Sequence, residues 1–370
     1  MALFSNIFKK DDPRALGVDI GSSAIKIVQL RKKNGQAVLE TYGELALGPY
    51  AGVTIGQAVQ LPPDKLSTAL SDLMKEKEVN VTTRRCGVSI PFSSSLMSVI
   101  EMPEVSLKQL AVMVPIEARK YIPVPIAEVT LDWSVIPKSQ LKIEEEDAND
   151  SMPIKAVPKM EVLTVAIHKQ TLSHYQDIIT TAGLEPGFFE IEIFSTMRSV
   201  LDQGLKPMMI MDMGAASTKL YIMERGIVRA SHTINRGSQD ITSTLSRSLG
   251  MTPEQAEILK RSVGASGEDP KVTEAILLVL DYIFAEVNSV LVAFEKKHNQ
   301  TVAKAILVGG GSALKGLANL AKDSFKTEVE AGMPFNKVAA PAFLENILKE
   351  TGPEFAVAIG LALRKLADEG

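Results

Sequence analysis

The sequence contains the same strand–turn–strand pattern twice, about half a chain apart, and this repeat limits the folds that the chain can adopt. The first copy covers residues 15–30 and the second covers residues 207–223. Each copy has an apolar run, a turn of glycine and small residues, and a second apolar run. Asp19 and Asp212 stand at the same place in the two copies, two residues before the first glycine of the turn. Apolar runs on both sides of such a turn predict β-hairpins.

A third apolar run, residues 305–308, comes late in the chain and has a different ending. It predicts a strand, then a glycine-rich turn, and then a helix over residues 313–322 that begins at this turn. The residues of the turn are Gly309, Gly310, Gly311 and Ser312.

The three turns share a composition that suits phosphate binding. Glycine lets backbone N–H groups approach phosphate oxygens, and hydroxyl groups add hydrogen bonds. Two hairpins that face each other would clamp a phosphate chain, and Asp19 and Asp212 would lie where carboxylates can hold a hydrated magnesium ion. The bare backbone of the third turn would let a base or ribose pack closely. Neither a Walker loop nor a Rossmann fingerprint at the first strand occurs in the sequence.

Residues 91–185 differ from the segments around them in their pattern of prolines, charges and apolar runs. This difference predicts an inserted α+β subdomain. Closely spaced prolines end its first helix, and the acidic run at residues 144–147 falls in a predicted long loop. Its predicted elements are a helix over 107–121, strands over 129–136 and 162–167, and a helix over 170–182. Beyond the second hairpin, helices are predicted over 238–249, 253–263, 273–297 and 354–368.

Composition excludes several classes of protein. The single cysteine, Cys86, excludes an intramolecular disulfide and a multi-cysteine metal site. Forty Lys and Arg residues against 44 Asp and Glu residues give a net charge of −4, so no global basic field is present to attract nucleic acid. Because neither a signal peptide nor a membrane-spanning run is recognised, we expect a cytoplasmic protein.

On these motifs the chain resembles the actin-like ATPase superfamily. Residues 19–23 are similar to its first phosphate motif, residues 212–218 to its second, and residues 307–312 to its adenosine motif. Within the superfamily, further segments resemble the type IV pilus assembly proteins of the PilM family, in the FtsA-like subgroup. These segments are residues 117–123, 129–133, 237–242 and 358–364. The resemblance extends from about residue 13 to residue 366.

The resemblance implies an α/β, actin-like (ribonuclease H-like) two-domain ATPase fold with an inserted α+β subdomain as in FtsA. The domain limits that it implies are as follows: an N-terminal tail at 1–12, a first domain at 13–90 and 186–206, the inserted subdomain at 91–185, a second domain at 207–352, and a C-terminal helix at 353–370 that returns to the first domain.

The resemblance also implies ATP and Mg²⁺ in the cleft between the domains. Asp19 and Asp212 would hold the metal, and Glu192 would orient the attacking water, with Glu190 as an alternative alignment. Lys26 would neighbour the phosphates, although its alternation with Ile25 and Ile27 equally fits a solvated strand face. Glu257 and Lys260 would reach the ribose and adenine, or would form an ordinary surface salt bridge. The remaining nucleotide-binding candidates are Gly21, Ser22, Ser23, Gly214, Ser217, Thr218, Gly309, Gly310, Gly311 and Ser312.

The partner that the resemblance implies is the short cytoplasmic N-terminal peptide of a PilN-type inner-membrane protein. A peptide of this kind would bind along the inserted subdomain, at Tyr121, Ile122, Pro123 and Val124. Membrane association at the inner membrane would then occur mainly through the partner. Other proteins of the pilus machinery are further candidates, and self-association stays open.

The resulting hypothesis is an ATP-binding scaffold that couples its nucleotide state to pilus assembly at the inner membrane. Two alternatives stay open at this point: an FtsA-like division protein that forms membrane-tethered filaments, and a small-molecule kinase. Because the residues alone identify no clear catalytic base, they leave open whether the protein is a slow ATPase.

Overall fold

The computed structural model describes residues 13–137, 158–202, 204 and 206–368. The predicted N-terminal tail and the acidic run at 144–147 lie outside the described residues. The strands, in chain order, are β1 (Arg14–Ile20), β2 (Ala24–Lys33), β3 (Gln36–Ala46), β4 (Arg85–Ile90), β5 (Ser95–Pro103), β6 (Val129–Ile136), β7 (Lys159–His168), β8 (Glu185–Ile191), β9 (Met208–Met213), β10 (Thr218–Glu224), β11 (Ile227–Ile234), β12 (Lys304–Val308) and β13 (Glu328–Ala331).

The helices are α1 (Pro63–Lys75), α2 (Leu107–Ala118), α3 (Lys169–Thr181), α4 (Glu192–Val200), α5 (Ser238–Leu249), α6 (Pro253–Ser262), α7 (Pro270–His298), α8 (Leu317–Phe325), α9 (Glu345–Thr351) and α10 (Ala356–Asp368).

The chain divides into two compact units. The smaller runs from Pro91 to Tyr175, and the larger contains the residues on either side of it. The domain limits stated above stay a prediction.

The larger unit contains two five-stranded sheets with the same internal plan. Their strand orders are β3-β2-β1-β4-β8 and β11-β10-β9-β12-β13. In each, a hairpin supplies antiparallel strands, and the strand that carries the aspartate, β1 or β9, also pairs in parallel with a later strand, β4 or β12. The two predicted hairpins are therefore confirmed.

The register of each hairpin places a lysine opposite the aspartate. Asp19 on β1 faces Lys26 on β2, and Asp212 on β9 faces Lys219 on β10. Since residues opposite each other in an antiparallel pair lie on the same face of the sheet, each hairpin presents one acidic and one basic side chain together at its turn end.

The helix predicted to begin at the third glycine turn is displaced. A short 3-10 turn covers Gly310–Ala313, and α8 begins only at Leu317. The cause is Gly316, which adopts a φ of 83° and lies so close to the backbone of Ala265 that a Cβ would be 2.5 Å from its carbonyl oxygen. The glycine turn therefore does not open an α-helix, and a helix N-terminus adds nothing to phosphate binding there.

Helix α7 packs against the second sheet and forms much of the hydrophobic core there. With a mean hydropathy of 1.9 over 18 residues it is long and apolar enough to cross a membrane by composition. However, side chains along its length, from Val272 to Phe294, are buried in a cluster with residues of the second sheet and of α5 and α8. Such burial is typical of the central helix of a globular domain.

The smaller unit is a three-stranded antiparallel sheet, in the order β5-β7-β6, with α2 packed against it. Leu110 and Val114 of α2 are fully buried in a cluster with Ile100, Met102 and Val162 of the sheet. Helix α2 begins at a capping box in which the backbone N–H of Ser106 donates to Gln109 Oε1 over 3.0 Å.

Helix α10 packs against β1 and α4 at van der Waals distance because two glycines remove side chains from the contact. A Cβ on Gly360 of α10 would overlap the backbone carbonyl of Ser195 on α4, and a Cβ on Gly17 of β1 would overlap that of Ala358. Both pairs belong to the larger unit, so this close approach fixes the position of α4.

We expect Gly360→Ala to destabilise the protein by about 2 kcal/mol. An alanine would favour the helix by about 1 kcal/mol, but overlap with a backbone atom in a packed interior costs about 1–3 kcal/mol or more. Urea unfolding followed by circular dichroism measures the change. Gly352→Ala is the matched control, since its Cβ would make only ordinary contacts at 3.4 Å or more. A stability equal to that of the unaltered protein would contradict the packing role.

Candidate functional site

A cavity of about 320 Å³ lies in the larger unit, where the turns of the two repeated hairpins meet. This volume is within the range of small-molecule sites, which is about 300–1,000 Å³. The first hairpin contributes Asp19, Gly21, Ser22, Ser23 and Lys26, the second contributes Asp212, Gly214 and Ser217, and the third turn contributes Gly309, Gly310 and Gly311. Glu192, Glu257 and Lys260 also line the cavity.

Two of the predicted binding residues do not line the cavity. The Thr218 side chain is fully buried and donates from its Oγ1 to the carbonyl oxygen of Arg236 over 2.9 Å. The Ser312 Oγ donates to the carbonyl oxygen of Gly309 over 2.7 Å and so closes the third turn on itself. In this conformation both hydroxyls hold turns together.

Asp19 is a half-buried carboxylate that accepts a hydrogen bond from a neutral donor. Ser89 Oγ on β4 donates to Asp19 Oδ1 over 2.7 Å. Burial, with a further contribution from the charge of Glu192, raises the pKa of Asp19 from 3.8 to about 6, although Ser89, Lys26 and Lys219 act in the opposite direction. The negative charge of Asp19 is thus only partly compensated by the protein.

Lys26 lines the cavity and does not lie on a solvated strand face. Its Nζ is 3.2 Å from Glu44 Oε1 and 3.9 Å from Glu354 Oε2, and its side chain is 13% exposed. Burial acts to lower the pKa of Lys26, but the charges of Glu44, Glu354 and Asp19 together outweigh it, so the pKa is raised and the ammonium stays charged.

Lys219 is a site residue that sequence reasoning missed. Its Nζ donates to Glu192 Oε2 over 2.7 Å and lies 3.8 Å from Asp212 Oδ2. The signal was present in the repeat, since Lys26 follows Asp19 by seven positions and Lys219 follows Asp212 by the same seven. Burial raises the pKa of Asp212, and the charge of Lys219 offsets this only in part.

The third turn packs directly on the second hairpin. Gly309 has a φ of 82°, and a Cβ there would overlap Asp212 Oδ1. A Cβ on Gly311 would lie 2.5 Å from the Met213 side chain. Glycine is therefore required at both positions so that bare backbone can line this wall of the cavity.

Glu257 and Lys260 form a buried pair and not a surface salt bridge. Lys260 Nζ lies 2.6 Å from Glu257 Oε2, and the two side chains are 9% and 8% exposed. Thr242 Oγ1 donates to Glu257 Oε2 over 2.6 Å. Burial acts to raise the pKa of Glu257, but Lys260 and Thr242 outweigh it and lower the pKa, while burial lowers the pKa of Lys260.

The loop before α1 approaches the same pair from the first sheet. A Cβ on Gly56 would lie 2.9 Å from Glu257 Oε1, and the backbone N–H of Ala58 donates to Gln239 Oε1 on α5 over 3.0 Å. A ligand in contact with Glu257 would therefore also contact this loop.

Glu190 and Glu192, the two alternatives for the group that orients water, have different surroundings. Glu190 accepts hydrogen bonds from Arg198, Arg364 and Ser195 and does not line the cavity. Glu192, at the start of α4, does line it. Only the second of these carboxylates is therefore in a position to approach a ligand.

The cavity carries more acidic than basic side chains. Six carboxylates (Asp19, Glu44, Glu192, Asp212, Glu257 and Glu354) face four basic groups (Lys26, Lys219, Lys260 and Arg261) in its lining. The raised pKa values of Asp19, Asp212 and Glu354, caused mainly by burial, indicate that added positive charge is favourable there. A polyphosphate alone would meet repulsion, and a divalent cation bound with it would reduce that repulsion.

The two aspartates fit Mg²⁺ by the chemistry of their donor atoms. Among the described residues no cluster of three or more His, Cys, Asp or Glu side chains could hold a metal ion. Mg²⁺ suits the smaller set, because it commonly binds through one or two carboxylates while waters and phosphate oxygens complete its coordination.

The predicted partner residues belong to the smaller unit. Helix α2 ends at Ala118, and the backbone N–H groups of Tyr121 and Ile122 both donate to its carbonyl oxygen. Tyr121 is 50% exposed, and Pro123 is also exposed. Ile122 and Val124 are half-buried. This segment has the accessibility that a peptide-binding rim requires.

Comparisons with known proteins agree on the fold and on one family. A family model described as type IV pilus assembly protein PilM matches residues 17–366. A PilM-PilN type IV pilus biogenesis complex is similar in structure, with a TM-score of 0.78 and 26% identity, covering 95% of this chain and 98% of that chain. The crystal structure of MreB5 of Spiroplasma citri bound to AMPPNP has a TM-score of 0.52 at 9% identity, covering 96% and 97%. The fold is therefore that of the actin-like ATPases.

Curated relatives include the cell division protein FtsA of Bacillus subtilis (strain 168). It is 22% identical to this chain over 269 residues, which is 66% of this chain and 58% of that protein. The match thus spans less than two thirds of that relative. FtsA of Streptococcus pneumoniae is also 22% identical, over 364 residues, with 88% of this chain and 77% of that protein covered.

Proposed function

The chain belongs to the family of type IV pilus assembly proteins PilM. From this premise we propose that it is an actin-like scaffold that binds Mg-ATP. We further propose that its nucleotide state controls its binding to an inner-membrane partner. The observation that carries the nucleotide part is the cavity at which two Asp–Lys hairpins and a glycine turn meet. The family match over residues 17–366 favours this function over the division protein and the kinase.

The arrangement of the cavity supports a specific orientation of the nucleotide. The phosphates would lie between the two hairpins, where Ser22 and Ser217 line the cavity. The backbone N–H groups of Gly21 and Gly214 donate to the carbonyl oxygens of Ala24 and Ser217 over 3.0 Å, so these glycines close their turns and leave room for the phosphates. Asp19 and Asp212 would hold Mg²⁺, which when bound would neutralise phosphate charge. The ribose and adenine would lie toward the Glu257–Lys260 pair and the glycine wall at residues 309–311.

The partner that we propose is a PilN-type inner-membrane protein, through its cytoplasmic N-terminal peptide. The structural likeness to a PilM-PilN complex at 26% identity supports this proposal. The exposed segment at Tyr121, Ile122, Pro123 and Val124 would contribute to the binding surface, and the protein would be held peripherally at the inner membrane. If the partner binds open and closed nucleotide states differently, nucleotide shifts the population that it selects.

A calorimetric titration tests both parts. We expect the protein to bind Mg-ATP, and the Mg-ATP-loaded protein to bind the peptide with one-to-one saturation. Asp212→Ala should weaken Mg-ATP binding at least about 10-fold, the lower end of what loss of a metal-supporting side chain costs. Asp281→Ala, which removes an exposed carboxylate on α7, is the matched control and should change neither titration.

The two parts fail separately in this experiment. If Mg-ATP does not bind, the nucleotide role is wrong whatever the peptide does. If Mg-ATP binds and the peptide does not, the coupling to a PilN-type partner is wrong, and the division-protein alternative gains support. Peptide binding that is equally strong without nucleotide would show that the cavity does not control the partner surface.

A further inference from the structure

We propose that Lys219 holds Glu192 in an ion pair that keeps this carboxylate from activating water, so that the site retains ATP without turning it over. This inference rests on the proposed nucleotide-binding function and adds the regulation of the same site. Lys219 is a positioning residue in this scheme, since it acts through Glu192.

Glu192 is the carboxylate whose placement suits it to accept a proton from water. It begins α4, lines the cavity and lies near both aspartates, since its charge adds to the effect of burial in raising the pKa of Asp19 and that of Asp212. If a triphosphate binds between the two hairpin turns as proposed, Glu192 would lie near its phosphates, since it lines the same cavity. Glu190, two residues earlier, is held by two arginines outside the cavity.

Lys219 occupies one oxygen of that carboxylate. Its Nζ donates to Glu192 Oε2 over 2.7 Å, and the two side chains are 17% and 10% exposed. A carboxylate oxygen that accepts a hydrogen bond from an ammonium directs a lone pair at that ammonium, so this lone pair is not available to a water proton. Because the pair is largely shielded from water, solvent weakens this interaction far less than it weakens a surface salt bridge.

The equivalent lysine of the first hairpin does not make this contact. Lys26 stands opposite Asp19 as Lys219 stands opposite Asp212, but its ammonium lies near Glu44 and Glu354. The repeat therefore supplies two lysines: Lys26 pairs mainly with Glu44 on the neighbouring strand β3, and Lys219 pairs with the carboxylate at the start of α4. This asymmetry assigns the restraint to Lys219.

The reaction that the ion pair restrains is hydrolysis of the terminal phosphate. The oxygen of a water molecule forms a bond to the γ-phosphorus, and the bond from that phosphorus to the bridging oxygen breaks. The bridging oxygen leaves with the electron pair as part of ADP. The proton of the attacking water passes to the Glu192 carboxylate and is then released to solvent, so the products are ADP and inorganic phosphate.

The experiment measures phosphate release under Mg-ATP saturation, and separately measures AMPPNP binding and the melting temperature. Lys219→Met removes the ammonium and keeps the length of the side chain. We expect phosphate release to rise by about 10-fold or more, since general base catalysis contributes about 10²–10⁴-fold, while AMPPNP still binds at saturating concentration. Glu192→Gln/Lys219→Met should return phosphate release to the level of the unaltered protein.

Two controls separate restraint from a structural effect. Lys219→Arg keeps the positive charge and should keep phosphate release low. Lys304→Met removes a lysine that pairs with Glu330 at the surface of the same sheet and should change neither phosphate release nor AMPPNP binding. A rise in phosphate release that depends on Glu192 is not expected from loosened packing alone.

Other results overturn the proposal. If Lys219→Met binds AMPPNP and releases phosphate no faster, the ion pair does not restrain hydrolysis, and the nucleotide-binding function stands. If it stays folded but loses AMPPNP, Lys219 is a phosphate ligand. If the variant does not fold, Glu192→Gln alone decides: a fall of about 10-fold or more in phosphate release would mean that Glu192 already acts as a base beside Lys219. If the unaltered protein binds no AMPPNP, the proposed nucleotide-binding function itself is wrong.

Discussion

Replacing Asp19 with asparagine is expected to stabilise the ligand-free protein at pH 7.5 by about 1–3 kcal/mol and to remove its Mg-ATP binding. The aspartate is half-buried, and its partial removal from water is the main cause that raises its pKa from 3.8 to about 6. A shift of about two pH units corresponds to about 3 kcal/mol against the charged form. Asparagine carries no charge and can still accept the hydrogen bond from Ser89 Oγ.

The pH dependence of this difference has a definite sign. Because the folded state binds the proton of Asp19 more tightly than the unfolded state does, the group costs nothing below about pH 4, where both states are protonated. The stability of the unaltered protein relative to Asp19→Asn should fall as the pH rises from about 4 to about 6, and the difference should stay constant above that. Urea unfolding at pH 4 and pH 7.5 measures both ends.

Asp281→Asn, at an exposed position on α7, controls for the loss of one surface charge. Its stability should equal that of the unaltered protein at both pH values. A destabilised Asp19→Asn variant at pH 7.5 would contradict the expectation and would mean that the Asp19 carboxylate stabilises the first hairpin turn. A stabilised variant without Mg-ATP binding would mean that the chain keeps a carboxylate at this position at the expense of stability, as is usual for ligand-binding groups.

The hairpins and the equivalent positions of the two aspartates could be predicted because their signal is local. Apolar runs around a glycine turn specify a hairpin within about 15 residues, and the repeat marks Asp19 and Asp212 as equivalent. The equal spacing of Lys26 and Lys219 was equally local and could have identified Lys219. That Lys219 pairs with Glu192, 27 residues earlier, depends on how α4 meets the second sheet, which no local pattern encodes.

The features that sequence reasoning could not resolve depend on contacts distant in the chain. Glu257 and Lys260 have the spacing of an ordinary helical ion pair, and only the packing of α6 beside α5 makes the pair a buried one. Helix α8 begins late because Gly316 lies against Ala265, about 50 residues away. Glu190 and Glu192 are indistinguishable as residue types, and their difference arises from the partners of Glu190: Arg198, and Arg364, which is 174 positions away.

Replacing Glu190 with alanine is expected to destabilise the protein by about 3 kcal/mol, the lower end of the cost of breaking a buried ion pair, because Arg198 and Arg364 are 32% and 38% exposed. Arg198 donates to both carboxylate oxygens of Glu190 over 2.8 Å, and Arg364 donates over 2.6 Å. Arg198 also donates to the carbonyl oxygen of Gly360 over 3.0 Å, so the network joins β8, α4 and α10. Alanine would leave the two guanidinium groups without their shared carboxylate.

The loss should depend on pH in the direction opposite to that of Asp19→Asn. Burial acts to raise the pKa of Glu190, but the hydrogen bonds and charge of Arg198, with those of Ser195 and Arg364, outweigh it and lower the pKa below 4.5. The stabilisation is therefore complete above about pH 5 and is lost as the pH falls through the lowered pKa. Urea unfolding at pH 7 and at pH 3 measures the difference between Glu190→Ala and the unaltered protein, which should be smaller at pH 3.

Glu185→Ala, at the exposed start of the same strand, is the matched control and should change stability by less than about 0.5 kcal/mol.

Because Glu192 begins α4 two residues after Glu190, the arginine network also fixes where the cavity carboxylate lies. Glu190→Ala should therefore weaken Mg-ATP binding even where the variant is folded, whereas Gly352→Ala should not. A loss of less than about 1 kcal/mol at pH 7 would mean that the arginines find other acceptors and that α4 is held by packing against α10 alone.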